Sequence, residues 1–70
     1  MVYEKVTLPV ARKIVNLTQK GLGEAIGVSE ATVINWEKGR SEPTITQAQK
    51  IAEVCRRPLD SIIFLVDSAV

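Results

Sequence analysis

The stretch from Thr18 to Gly39, "TQKGLGEAIGVSEATVINWEKG", starts and stops a helix twice within a few turns. Thr18 and Ser29 are hydroxyl residues, whose side-chain oxygen can accept from the free N–H groups that open a helix. Gly27 and Gly39 can take the left-handed backbone that ends one. Between these marks Leu22 and Ile26 fall on one face of the first helix, and Val33 and Trp36 share a face of the second. Trp36 is therefore read as core rather than as a base-stacking platform. A chain punctuated in this way cannot run as one long helix; it has to fold back on itself.

The same signals extend outward. Thr7 can cap an earlier helix with Pro9 in its first turn, where a missing N–H costs nothing. Leu8, Ala11, Ile14 and Val15 then share a face, and Asn16 tolerates the left-handed stop. Thr44, after Pro43, opens a helix whose stripe is Ile45, Ala48, Ile51, Ala52 and Cys55. Arg56, Arg57 and Pro58 interrupt it. Leu59, Ile62, Ile63 and Val66 then resume at helical spacing. Ahead of all this, Val2, Glu4, Val6 and Leu8 alternate with Tyr3, Lys5 and Thr7, the period of a short strand. The reading is an all-α domain over residues 1–70, with five short helices and a short N-terminal strand. Its connections are roughly two to six residues long, ordinary for a compact domain.

At 70 residues a core supplies little surplus stability, so any staple matters. Cys55 is the one cysteine and histidine is missing, so neither an internal disulfide nor a Cys/His zinc set can form. Cys55 reads as a small buried apolar residue. No metal or cofactor is expected, and stability has to come from helix packing or a partner chain. Apolar runs fall well short of the roughly 20 residues that span a bilayer, and the N-terminus lacks a signal-peptide core. A soluble protein of the reducing cytoplasm, with no membrane partner, is expected. An enzyme is not: there is no histidine, no phosphate-cradling loop with a lysine and no metal cluster.

Two helices that cross steeply need backbones that approach closely. Gly23 lies one turn in from Gln19, Gly27 makes the turn, and Val33 pins the next helix to the core. This is the spacing of a helix-turn-helix, over about residues 18–38, whose second helix enters the major groove. The motifs "LTQ" (17–19), "LGEAIGVS" (22–29), "TVINWEKGRSEPT" (32–44) and "PLDSIIFL" (58–65) follow in that order. With them, residues 7 to 66 resemble the XRE-like helix-turn-helix family of phage repressors and Cro proteins. "KVTLPVARKIVNLTQ" and "PLDSIIFL" look most like small Cro-like regulators of phages of Gram-positive bacteria. The resemblance implies a lambda-repressor-like five-helix domain in a bacterial host's cytoplasm, repressing transcription from operator DNA. Three positions depart from the family pattern. Gly23 stands where alanine is usual, and alanine is expected to serve there with a firmer helix. Gly21 replaces a charged helix former, and roughly 1 kcal/mol of helix propensity is lost at each of these glycines. Arg56 stands where glycine is common.

The resemblance also implies residue roles. Gln19, at a helix start with free N–H groups, suits a phosphate oxygen, with Lys20 beside it. Ser29, Glu30, Ala31, Thr32 and Asn35 occupy the positions from which the family reads bases. Asn35 can pair bidentately with adenine, Ala31 and Thr32 can meet a thymine methyl, and Glu30 can accept from cytosine. Glu30 is equally well explained as a carboxylate favoured by the helix dipole. Lys38 and Arg40 would grip backbone phosphates at the far end of the helix, or stand as solvated surface charge. Arg12 and Glu37 are implied as a structural ion pair tying that helix to the scaffold.

Net charge is only +1, so a monomer has few phosphate partners and should bind weakly. Two half-sites joined by a homodimer would repair that. "IIFLV" (62–66) carries too many apolar residues for one buried face. It either closes the core as a helix or strand, or supplies Ile62, Phe64, Leu65 and Val66 to a symmetric dimer contact; the second is preferred. The competing function is a protein-interaction module, an antitoxin or antirepressor whose partner is a toxin or another repressor. A DNA-binding fragment of a longer repressor is a further alternative.

Overall fold

The structure is a computed structural model and describes residues 2–64. Val6–Thr7 form a short strand, β1, which runs directly into helix α1, Leu8–Ile14. Helices α2, Gln19–Ile26, and α3, Glu30–Glu37, follow, and then α4, Ile45–Cys55. A single 3-10 turn over Leu59–Ser61 leads into strand β2, Ile62–Ile63. Helix α2 lies against both α3 and α4, and α1 closes the group against α4 and the two strands. Among the described residues no helix is long and apolar enough to cross a membrane.

Three of the helices begin as their hydroxyl residues require. Thr18 Oγ1 accepts from Gly21 N at 2.9 Å, and Ser29 Oγ accepts from Thr32 N at 3.1 Å. Thr44 forms a reciprocal box with Gln47: Oγ1 accepts from Gln47 N at 3.1 Å while Thr44 N donates to Gln47 Oε1 at 2.8 Å. Thr7 differs. It occupies the capping position of α1 but its side chain caps nothing, and its backbone belongs to β1.

The helix ends share one device. Asn16 (φ 60°), Gly27 (83°), Gly39 (74°) and Arg56 (57°) are all left-handed. After each, the next N–H reaches back to the last turn of its helix: Leu17 to Arg12 O, Val28 to Gly23 O, Arg40 to Asn35 O and Arg57 to Ala52 O. Arg56 accepts a conformation that is cheap only for glycine.

The core gathers Leu8, Ala11, Leu22, Ile26, Val33, Trp36, Ile51, Ala52, Cys55 and Ile62. Burial pushes the Cys55 thiol above its ordinary pKa, against a smaller opposite pull from Arg57. Three residues expected on the apolar stripes are not covered: Ile14 is 58% exposed, Ile45 75% and Ile63 42%. Ile14 and Ile45 stand at helix ends, in the last position of α1 and the first of α4.

The C-terminal segment corrects the sequence reading. Among the described residues there are four α-helices, not five, because Leu59–Ile63 forms a 3-10 turn and a strand rather than a helix. The strand pairs in parallel with β1, Val6 opposite Ile62 and Thr7 opposite Ile63. That pairing satisfies backbone groups a helix would have satisfied internally, and β-branched residues fit it well. Ile62, assigned from sequence to a dimer contact, is 6% exposed and belongs to the chain's own core. Phe64 is half-buried, while Leu65 and Val66 lie outside the described residues.

Gly23 also departs from expectation. A Cβ there would meet the Val28 carbonyl oxygen at 2.6 Å, so alanine is not a ready substitute. At Gly21 a Cβ would meet only side chains, Thr18 Oγ1 at 3.1 Å and Leu17 Cδ2 at 3.5 Å.

Candidate nucleic-acid interface

Helix α3 is anchored on one side and open on the other. Val33 and Trp36 are buried, at 0% and 4% exposure, and Glu37 next to Trp36 is held in a polar cluster. At 3.6 residues per turn the opposite direction belongs to Ala31, Asn35 and Lys38, which form the outward stripe. Ala31 and Lys38 are exposed and Asn35 is half-buried. Glu30 and Thr32 fall to either side of that stripe. Thr32 is turned back on the cap, its hydroxyl 2.9 Å from Ser29 Oγ. Ile34, on the flank near Glu30, is half-buried and was not singled out by sequence.

The polar cluster joins three helices. Arg12 Nε donates to Glu37 Oε2 at 2.6 Å and Arg12 Nη2 to Glu37 Oε1 at 3.3 Å. Arg12 Nη1 donates to the Leu17 carbonyl at 3.1 Å, and Gln19 Nε2 donates to Glu37 Oε1 at 3.0 Å. The two charged side chains are 10% and 7% exposed, so solvent screens the pair little. One carboxylate at the end of α3 thus collects donors from α1 and the first residue of α2. The Gln19 amide, assigned from sequence to a phosphate oxygen, spends one of its N–H groups inside the protein. Its second N–H and the open first turn of α2 are what it has left for an anion.

Lys20 is exposed at the start of α2, and Lys38 and Arg40 are exposed just past α3. Lys38 sits where the negative end of the α3 dipole favours a cation, and Glu30 where the positive end favours an anion. The arrangement is a helix whose outward stripe carries the small apolar Ala31 and the amide of Asn35, with cations at its end. It can enter a groove and exchange hydrogen bonds there. It offers no nucleophile with an adjacent base.

A second cluster was not visible in the sequence. Arg57 Nε donates to Ser61 Oγ at 2.8 Å, and Arg57 Nη2 donates to the Glu4 carbonyl. Its guanidinium lies 5.4 Å from the centre of the Tyr3 ring, within cation–π range. Ser61 Oγ donates onward to the Pro58 carbonyl at 2.6 Å. Arg57 thereby latches the N-terminal segment to the turn before β2. Only tertiary proximity creates this role; its local signal, a cation after a helix stop, is commonplace.

Comparison with known proteins bears on this geometry. A helix-turn-helix family model matches residues 11–62. The chain is 41% identical over 56 residues to an uncharacterized HTH-type transcriptional regulator of Methanothermobacter thermautotrophicus, covering 80% of this chain and 81% of that protein. It is 38% identical over 56 residues to another of Methanocaldococcus jannaschii, covering 80% and 85%. A third, of Archaeoglobus fulgidus, is 36% identical over 52 residues, covering 74% and 72%. No solved structure matches at comparable significance.

Proposed function

The chain belongs to the helix-turn-helix family, and from that premise we propose that it is a sequence-specific DNA-binding transcription regulator. It reads operator DNA by laying α3 in the major groove, and represses by occupying the site against polymerase. The observation that carries the reading is the two-sidedness of α3. Val33, Trp36 and Glu37 fix it to the scaffold while Ala31 and Lys38 are exposed, and Asn35 half-buried, along its outward stripe. Asn35 reads adenine bidentately, and Ala31 meets a thymine methyl. Lys20, Lys38, Arg40 and the free Gln19 N–H hold phosphates, and Ser29, Glu30 and Thr32 contact base edges from the flank.

The regulator acts as a homodimer on two half-sites, since +1 net charge leaves each copy few phosphate partners. With Ile62 spent on the core, the contact falls to Phe64 and the residues after it, Leu65 and Val66. A Cro-like phage regulator in a bacterial cytoplasm is supported by the likeness of "KVTLPVARKIVNLTQ" and "PLDSIIFL" alone; the relatives above are archaeal.

One observation favours the antitoxin or antirepressor reading. Glu42, Pro43, Ile45, Ala48, Leu59 and Phe64 line a shallow, mainly apolar groove of about 240 Å³. Asn35→Ala separates the two. Under the DNA reading this variant melts like the parent and loses its preference between DNA sequences. If preference is untouched by Asn35→Ala while a protein partner is lost with Phe64→Ala, the interaction reading replaces it.

A further inference from the structure

The start of α3 rests directly on the backbone of α2 at Gly23, which is itself buried. A Cβ at that position would lie 2.6 Å from the Val28 carbonyl oxygen, and 3.3 Å from both the carbonyl carbon and the oxygen of Ser29. All three are backbone atoms, so no change of rotamer relieves the overlap. The Gly23 carbonyl also accepts from Gly27 N and Val28 N, each at 2.8 Å, which ties the turn down on the same residue. Ser29 caps α3, and its peptide sets where Glu30, Ala31 and Thr32 are presented. With Val33 and Trp36 held in the core, the end of α3 that can yield is its N-terminus.

We propose that Gly23 is a specificity-determining residue that touches no DNA. By lacking a side chain it seats the first turn of α3 closer to α2 than any other residue allows, and so selects which bases Ser29 to Thr32 can reach. A methyl group there pushes the Val28–Ser29 peptide back by about 0.4 Å or more, from 2.6 Å to at least the 3.0 Å limit of real Cβ contacts. Contacts that must be short and well aligned do not survive such a shift unchanged. The inference rests on the DNA-reading proposal above.

The test compares wild type with Gly23→Ala. Each is titrated, at one salt concentration, against the wild-type half-site and a panel with every base pair substituted in turn. Amide resonances of Val28 and Ser29 and a thermal melt are recorded alongside. The expected result is a folded variant with displaced Val28 and Ser29 resonances. Its affinity for random DNA stays within about twofold, and its relative preference changes about tenfold at one base pair or more, the scale of one base contact. A folded variant that ranks the panel as wild type does, with any loss uniform, overturns the inference. So does a variant that fails to fold even in the cold with site DNA in excess, because the turn then does not yield. If wild type itself ranks no sequence above another, the DNA-reading proposal is what has failed, and this inference falls with it.

Discussion

Glu37→Ala tests the joint that holds α3 to the scaffold. The Glu37 carboxylate receives Arg12 Nε at 2.6 Å, Arg12 Nη2 at 3.3 Å and Gln19 Nε2 at 3.0 Å. Removing it leaves a guanidinium that is 10% exposed with only the Leu17 carbonyl as partner. Stranding one member of a buried pair costs about 3–5 kcal/mol. A domain of this size has roughly 4–10 kcal/mol in total, at about 0.05–0.15 kcal/mol per residue. The loss is thus near half of the whole, and should lower Tm by about 12 °C or more at about 4–8 °C per kcal/mol. Urea unfolding followed by Trp36 fluorescence measures it. Glu37→Gln keeps the shape and one carbonyl acceptor, and should lose less. Arg12→Met with Glu37→Leu removes both charges and should cost less than Glu37→Leu alone, giving a coupling of at least about 1 kcal/mol in the double-mutant cycle completed by Arg12→Met. A loss below about 1 kcal/mol for Glu37→Ala, or strict additivity in the cycle, would mean that the pair behaves as a surface one and that the joint is elsewhere.

Four further substitutions or conditions have definite signs. Thr44→Ala breaks the capping box of α4 and should cost about 1 kcal/mol in a denaturant titration. Arg56→Gly places glycine at φ 57° and should stabilise by up to about 1 kcal/mol, read as a higher Tm. Gly21→Ala gains up to about 1 kcal/mol of helix propensity against a slight push on the exposed Thr18 hydroxyl, so the melt should rise; a lower Tm would show that the cap oxygen cannot give. The Cys55 thiol has a raised pKa when folded, so the native state keeps a proton that the unfolded chain releases. Stability should therefore be insensitive to this group at neutral pH and fall as pH rises above roughly 8.5, a decline that Cys55→Ala should diminish.

Much of this fold could be read locally. Thr18, Ser29 and Thr44 cap the helices they precede, and Asn16, Gly27 and Gly39 end the helices they follow. Leu22, Val33 and Trp36 are where 3.6-residue spacing puts them. These features depend on a few neighbouring residues, which is why pattern alone reveals them. The segment from Leu59 failed for the opposite reason. An apolar run of that length is compatible with a helix or a strand, and Val6–Thr7, the strand that decides it, is more than fifty residues away. Arg57 was equally opaque, since Tyr3, Glu4 and Ser61 reach it only in the folded chain. At Gly23 a small residue was legible but the strictness was not, because the obstacle is a carbonyl oxygen across the turn.

Sequence reading by α3 is put to the test by selecting bound sites from a random DNA pool at two stated salt concentrations. The expected result is enrichment of one half-site, repeated as an inverted pair, with affinity falling steeply as salt rises. Recovery of a pool as random as the input at both salts would contradict it.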